Sequence, residues 1–195
     1  MSRTPHIGIV VGSTREGRFS ERAAAWFHTI AARRTDVSVE IIDLRDYPMP
    51  FFDEPASPAW VPPKDQAAVR WAAKLAELDG FVFVTPEYNH GPSAALKNAI
   101  DFLYREWNNK SVGFVGYGGN GGARSVEILR QVVSNVELAD VRAQVGLSLF
   151  TDFENFTTFQ PGTHLEATVT GMLDQVIAWG AALKPLREAK SDHLR

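Results

Sequence analysis

Short runs of β-branched and aromatic residues alternate with longer stretches of helical periodicity along this chain, the pattern of repeated βα units that build a parallel sheet. The runs are His6–Gly12, Val37–Ile42, Phe81–Thr85, Ser111–Tyr117 and Val141–Leu147. Segments 7–12, 81–85 and 112–115 are almost continuously apolar, as expected of central strands covered on both faces. Helical spacing falls between the runs at 20–34, 64–78, 93–107 and 121–138, with a last helix at 163–184. The third helix is the best defined. Leu96, Ala99, Ile100, Leu103, Tyr104 and Trp107 form one stripe, while Lys97, Asn98, Asp101 and Arg105 face away. Phe102 falls on the polar face, where an exposed aromatic predicts a contact between subunits.

Five strands and five helices in strict alternation predict a three-layer α/β/α sandwich around a five-stranded parallel sheet. Right-handed crossovers restrict its strand order, and 2-1-3-4-5 is the common five-stranded solution. The chain of 195 residues is read as one domain, 1–195, long enough to bury roughly 70% of its unfolded surface. The charged tail 185–195 is expected to fray. In such a sheet, ligands bind outside the carboxyl ends of the strands where their order reverses. That point lies between the first and third strands. The loops after Gly12, Thr85 and Tyr117 are therefore predicted to converge on it, with the proline-rich stretch Tyr47–Pro63 overhanging the pocket.

Composition narrows the chemistry. Hydrophobic residues make up 45% of the chain and charged residues 22%, the balance of a folded globular protein. A net charge of −3 gives no field to draw nucleic acid or an anionic membrane, so an anionic ligand needs a local site. Without cysteine there is no disulfide, thiolate nucleophile or cysteine-ligated zinc, and redox chemistry would need a bound cofactor. The first apolar run is too short for a secretion signal or a bilayer span. A cytoplasmic protein is the expectation.

The first loop, Gly12-Ser13-Thr14-Arg15-Glu16-Gly17-Arg18-Phe19-Ser20, opens a helix. Hydroxyls, guanidinium groups and the free N–H groups of a helix N-terminus together suit a phosphate. Taken alone, Ser20 is a helix cap and Arg15 and Arg18 are solvated cations. The loop lacks the Gly-Lys-Ser/Thr of a P-loop, and a monophosphate is the favoured guest. The second loop, Thr85-Pro86-Glu87-Tyr88-Asn89-His90-Gly91-Pro92-Ser93, is stiffened by prolines and offers N–H groups and an aromatic edge to a flat heterocycle. No Ser or Asp at suitable spacing supports His90 as a catalytic base; no side chain is assigned a catalytic role, and no metal site is predicted. The third loop, Gly116-Tyr117-Gly118-Gly119-Asn120-Gly121-Gly122, matches G-x-G-x-x-G. It follows the fourth strand rather than the first, and no acidic residue ends the next strand as a dinucleotide fingerprint requires. It is read instead as a glycine-lined wall on which a planar ligand can lie.

In this order, GSTREGRFS, TPEYNHGPSAALKNAIDFLYREW and GYGGNGG closely resemble the NADPH-dependent FMN reductase family of flavodoxin-like proteins. DLRDYPMPFFDE at 43–54 looks like that family's loop after the second strand, and the resemblance runs from residue 6 to 147. It implies a flavodoxin-like fold, bound FMN, NADPH or NADH as donor, a small-molecule electron acceptor, and a homodimer or homotetramer. By position, Ser13, Arg15 and Ser20 would hold the FMN phosphate, and Pro86, Glu87, Tyr88 and Asn89 would line the isoalloxazine ring. Gly118 and Gly119 would close on its pyrimidine side. The phosphate loop departs from the family at Arg18-Phe19, where small polar residues and an Asn are common, so one phosphate ligand lies among Arg18, Phe19 and Ser20. Beyond 147 the resemblance thins, and Phe150, Phe153, Phe156 and Phe159 read as particular to this chain.

The implied activity is an FMN-dependent oxidoreductase that takes hydride from NAD(P)H and passes electrons to a flavin, quinone or similar acceptor. The flavin carries the organic chemistry, so the protein needs only to bind, orient and polarise it. The alternative is a flavodoxin-like electron carrier or regulatory flavoprotein acting through a protein partner. Such carriers are strongly acidic around the flavin, whereas Arg15, Arg18, Lys97 and Arg124 here offset Glu16 and Glu87. A nicotinamide dehydrogenase, from the 116–121 match, is the third reading.

Overall fold

Strands β1 (His6–Val11), β2 (Ser38–Asp43), β3 (Gly80–Pro86), β4 (Lys110–Gly118) and β5 (Leu138–Ser148) form one parallel sheet in the order β2-β1-β3-β4-β5. The order is the one the sequence predicts. The structure is a computed structural model that describes residues 3–192. Ile7 to Val11 pair with Gly80 to Val84, and Gly80 to Pro86 pair with Ser111 to Tyr117. The carboxyl ends of the three central strands therefore finish side by side.

Alternation along each strand divides the core in two. Ile7, Ile9 and Val11 of β1 and Val82 and Val84 of β3 face helices α1 (Ser20–Ala31) and α5 (His164–Asp192), where they pack with Phe27, Val169, Met172 and Val176. Phe81, Phe83, Val112 and Phe114 point the other way, toward α2 (Gln66–Ala76), α3 (Ala94–Asp101) and α4 (Ala123–Asn135). Trp71, Trp107, Phe81 and Phe83 meet there edge to face with centroids 5.0–6.0 Å apart. Each such side chain contributes about 1.5–3 kcal/mol by leaving water.

Three expectations need correction. The third helix stops at Asp101 rather than at 107, because Leu103 to Asn109 must turn back into β4. Trp107 and Asn108 hold that turn by donating to the carbonyls of Ile100, Tyr104 and Val136 at 2.9–3.2 Å. Phe102, expected on the surface, caps the helix fully buried with its ring edge-on to Phe52 at 5.3 Å. It offers no subunit contact. The last helix does not stop at 184; α5 continues through Pro185 to Asp192. Arg187 fastens this stretch to the carbonyls of Asn109 and Gly180 and to Asp79. Residues 193–195 of the expected tail lie outside the described residues.

Two short antiparallel strands, β6 (Phe153–Glu154) and β7 (Thr158–Phe159), lie outside the predicted elements. They place Phe153 opposite Phe159, with both rings packed on Phe19.

Candidate functional site

The first loop leaves β1 through Gly12, whose N–H extends the ladder to Val84 O at 2.9 Å. A Cβ there would lie 2.6 Å from that same carbonyl, so only glycine lets the chain turn this close to β3. Ser93, the cap of α3, accepts from Leu96 N at 3.1 Å and donates to Gly12 O, tying loop and helix together. Arg18 is not a solvated cation. Its side chain is 1% exposed and donates to Ser13 O, Glu21 and Asp43. Burial works against this cation, but the hydrogen bonds and charges of Asp43 and Glu21 outweigh it and raise its pKa. Arg45 adds hydrogen bonds to Thr14 O and Arg15 O at 3.2 and 2.9 Å. Three successive carbonyls are thus engaged by guanidinium groups rather than left to repel an anion.

Ser20 does not cap α1 either. It is the first helical residue, following Phe19, which makes no capping hydrogen bond of its own. The Ser20 hydroxyl is buried without a hydrogen-bond partner, as is that of Tyr117. Burial pushes the Tyr117 phenol up to about 12. The nearby Ser20 hydroxyl and Arg15 offset part of this rise, without a formed Ser20–Tyr117 hydrogen bond. Two donors kept protonated beside a helix N-terminus suit an oxyanion.

The second loop is a tight hairpin rather than a proline-stiffened arch. Tyr88 and Gly91 exchange two backbone hydrogen bonds of 2.9 Å, with Asn89 and His90 in the left-handed region between them. The Tyr88 hydroxyl reaches across to Ser13 Oγ at 3.2 Å and Arg15 Nε at 3.3 Å. Glu87 accepts from the Arg124 side chain at 2.6 Å and the Arg124 N–H at 3.0 Å, at the start of α4. Burial would raise its pKa, but Arg124 and the backbone N–H groups of Arg124 and Ser125 prevail and hold it below the usual carboxylate range. Glu87 is therefore a strut between the second and third loops.

Most of the glycines in the third loop serve the backbone, not a ligand. A Cβ on Gly122 would lie 2.5 Å from Tyr117 N, and one on Gly116 would lie 2.6 Å from Gly121 O. The expected glycine wall shrinks to Gly118 and Gly119.

These loops enclose a cleft of about 480 Å³. Arg15, Arg18, Pro86, Glu87, Tyr88 and Gly118 line it. Ser13, Ser20, Asn89 and Gly119 are not among the residues lining it: Ser13 and Ser20 are buried, Asn89 is exposed at the hairpin tip and Gly119 lies beside Phe150. Phe19 and Tyr117, from the first and third loops, line the cleft too, and a further wall of Leu149, Phe153, Phe156 and Thr157 was not foreseen. Its only trace in the sequence is the spacing of the four phenylalanines from 150 to 159. Tyr47, Pro48 and Met49 do not overhang this cleft; they line a smaller hollow of about 270 Å³ across the first loop. That hollow is lined neither by the start of α1 nor by Tyr117. No metal-ligating cluster occurs among the described residues, and no helix there is long and apolar enough to cross a membrane.

The model of the NADPH-dependent FMN reductase family matches residues 5–152. An NAD(P)H-dependent FMN reductase of Schizosaccharomyces pombe is 38% identical over 148 residues, 75% of this chain and 74% of that one. An NAD(P)H:quinone oxidoreductase of Solanum tuberosum is 36% identical, covering 68% and 70%. Among solved structures, the flavoenzyme NAD(P)H:(acceptor) oxidoreductase FerB of Paracoccus denitrificans superposes with a TM-score of 0.71, covering 91% of this chain and 98% of that one. At 18% identity this last likeness concerns the fold alone.

Proposed function

The chain belongs to the NADPH-dependent FMN reductase family, and on that premise we propose that FMN lies in the cleft with its phosphate at the start of α1. The protein is an FMN-dependent oxidoreductase that takes hydride from NAD(P)H and passes electrons to a flavin, quinone or similar small acceptor. When bound, FMN supplies the hydride-accepting and electron-donating chemistry, and the protein's own groups bind and orient it.

The observation that carries the placement is the pair of buried, unpartnered hydroxyls, Ser20 and Tyr117. Burying a hydroxyl without a partner costs on the order of 1–3 kcal/mol, and a phosphate oxygen accepts from both. Ser13, Arg15 and the first N–H groups of α1 complete the phosphate set. Arg18 serves it from behind, holding the loop closed through Ser13 O while Asp43 and Glu21 absorb its charge. Pro86, Tyr88, Gly118 and Gly119 border the isoalloxazine ring. Glu87 fixes the spacing of its two loops, and Asn89 supplies the turn that aims Tyr88. The flavodoxin-like carrier is disfavoured: the relatives are named as reductases of FMN and quinones, and Arg15, Arg22 and Arg124 stand in or beside the cleft.

We further infer a homodimer or homotetramer, supported by the exposed Phe51, Trp60 and Val61. A cytoplasmic location follows from the need for a nicotinamide nucleotide donor.

Titrating the apo-protein with FMN and with riboflavin, which lacks the phosphate, tests the placement. Tyr117→Phe is expected to weaken FMN binding by about 1 kcal/mol, the worth of one hydrogen bond, and to leave riboflavin binding alone. Equal loss for both ligands would remove Tyr117 from the phosphate site. Anaerobic NADPH should bleach the flavin band of the holoenzyme, and a band that persists would contradict the donor.

A further inference from the structure

Phe156 stands where a phenylalanine is least at ease. The turn between β6 and β7 puts Asn155 and Phe156 in the left-handed region, at φ 51° and 59°. Asn tolerates that conformation, whereas for a bulky aromatic it is uncommon and strained, and glycine is the residue such turns favour. Burial does not compensate. Phe153 and Phe159 pack inward on Phe19, but Phe156 stays 63% exposed and Phe150 71%. The two outer rings meet edge to face at 5.7 Å. Phe156 lines the cleft, and Phe150 comes within 3.6 Å of where a Cβ on Gly119 would sit. Two rings that add little to the core therefore edge the cleft from the hairpin tip to the glycine turn.

We propose that Phe156, backed by Phe150, is the stacking platform for planar aromatic electron acceptors and sets the preference of this enzyme for a quinone-like ring. The inference rests on the placement of FMN in the cleft. An acceptor must come to that cleft to be reduced, and the wall it meets on this side is apolar, made of Leu149, Phe153 and Phe156 with Thr157. A flat conjugated ring gains offset or edge contact with an aromatic face, which a hydrated inorganic ion does not. Strain held at a binding site, unrelieved by burial, marks a ring kept for its contact with a ligand.

The test uses the full-length, FMN-loaded enzyme with NADPH, comparing 1,4-naphthoquinone with ferricyanide, which cannot stack. Phe156→Gly relieves the turn, so its melting temperature should hold or rise; a fall would assign the ring to folding and overturn the proposal. The KM for naphthoquinone is expected to rise about fivefold, as the loss of one aromatic contact implies. The ratio of kcat/KM for naphthoquinone over ferricyanide should fall with it, and Phe156→Trp should restore it. An unchanged naphthoquinone KM, or equal losses with both acceptors, overturns the proposal. So does a weakened FMN affinity in the apo-protein, which would give the ring to the cofactor, or an altered sedimentation mass, which would give it to a second copy of the chain. Failure of the underlying placement is separately visible, since Tyr117→Phe would then weaken FMN and riboflavin binding alike or not at all.

Discussion

At the amino end of the sheet, Arg3 and Arg187 pair with Asp79 and Lys110 donates to a buried carbonyl, whereas at the carboxyl end the hydroxyls of Ser20 and Tyr117 have no partner. The amino end is closed. Lys110 Nζ donates to Leu75 O at 2.5 Å and lies over the Phe81 ring, while Asp79 receives His6 N, Arg3 and Arg187. Burial first, then Arg187, pulls the Lys110 pKa down to about 8, with Asp79 and Glu106 opposing. A shifted lysine of this kind invites a catalytic reading, yet all its neighbours knit strands and helices together. At the carboxyl end the charges are milder, the backbone is bent, and the unmet hydrogen bonds point to a guest. An unsatisfied hydroxyl is here a better guide to function than a displaced pKa.

Arg18 is the exception that tests this contrast most severely, being a closed charge at the open end. Arg18→Ala strands Asp43 and Ser13 O and should lower stability in chemical denaturation by about 3 kcal/mol. A loss below about 1 kcal/mol would mean the buried pair is not a strut.

Lys110 probes the other end. Its folded pKa lies below its unfolded value, so between pH 8 and 10.5 the unfolded chain binds more protons and stability from this group rises with pH. Below pH 8 the penalty for the buried cation is present in full. The stability gap between wild type and Lys110→Met should therefore shift in favour of the wild type by about 2 kcal/mol from pH 7 to pH 10. A flat difference would show that Lys110 is not desolvated as described.

Arg15 gives the smallest expected effect. Its guanidinium contacts only Tyr88 among the charged and polar side chains described here. Arg15→Ala should weaken FMN binding by about 1.5 kcal/mol and change the melting of the ligand-free chain little. A large loss of apo-protein stability would make Arg15 a second Arg18 and blur the two ends.

The sheet was legible because the middles of β1, β3 and β4 are almost continuously apolar and their helices alternate with them. The end of α3 was not: the stripe from Leu96 to Trp107 stays buried whether 103–109 is helix or turn, so periodicity could not show where the helix stops. Phe102 misled for a related reason, since the helical wheel places it outward while the chain folds Phe52 over it. At the candidate site, the convergence of the loops carrying Arg15, Tyr88 and Gly118 on one cleft could be read from the strand order. Arg18 could not be sorted from Arg15, because the difference lies in Asp43, 25 residues away. The hairpin wall stayed hidden because phenylalanines every three residues match neither strand nor helix periodicity.

The glycine turn after β4 restricts how this enzyme can diversify. At Gly116 and Gly122 a methyl group would meet main-chain atoms that cannot step aside, so a larger residue at either position forces the backbone apart. The segment around Leu149 to Thr157 carries no such ban, and its outermost side chains have room around them. Side chains can therefore be exchanged in the hairpin at little steric cost, while the glycine turn facing it admits almost none.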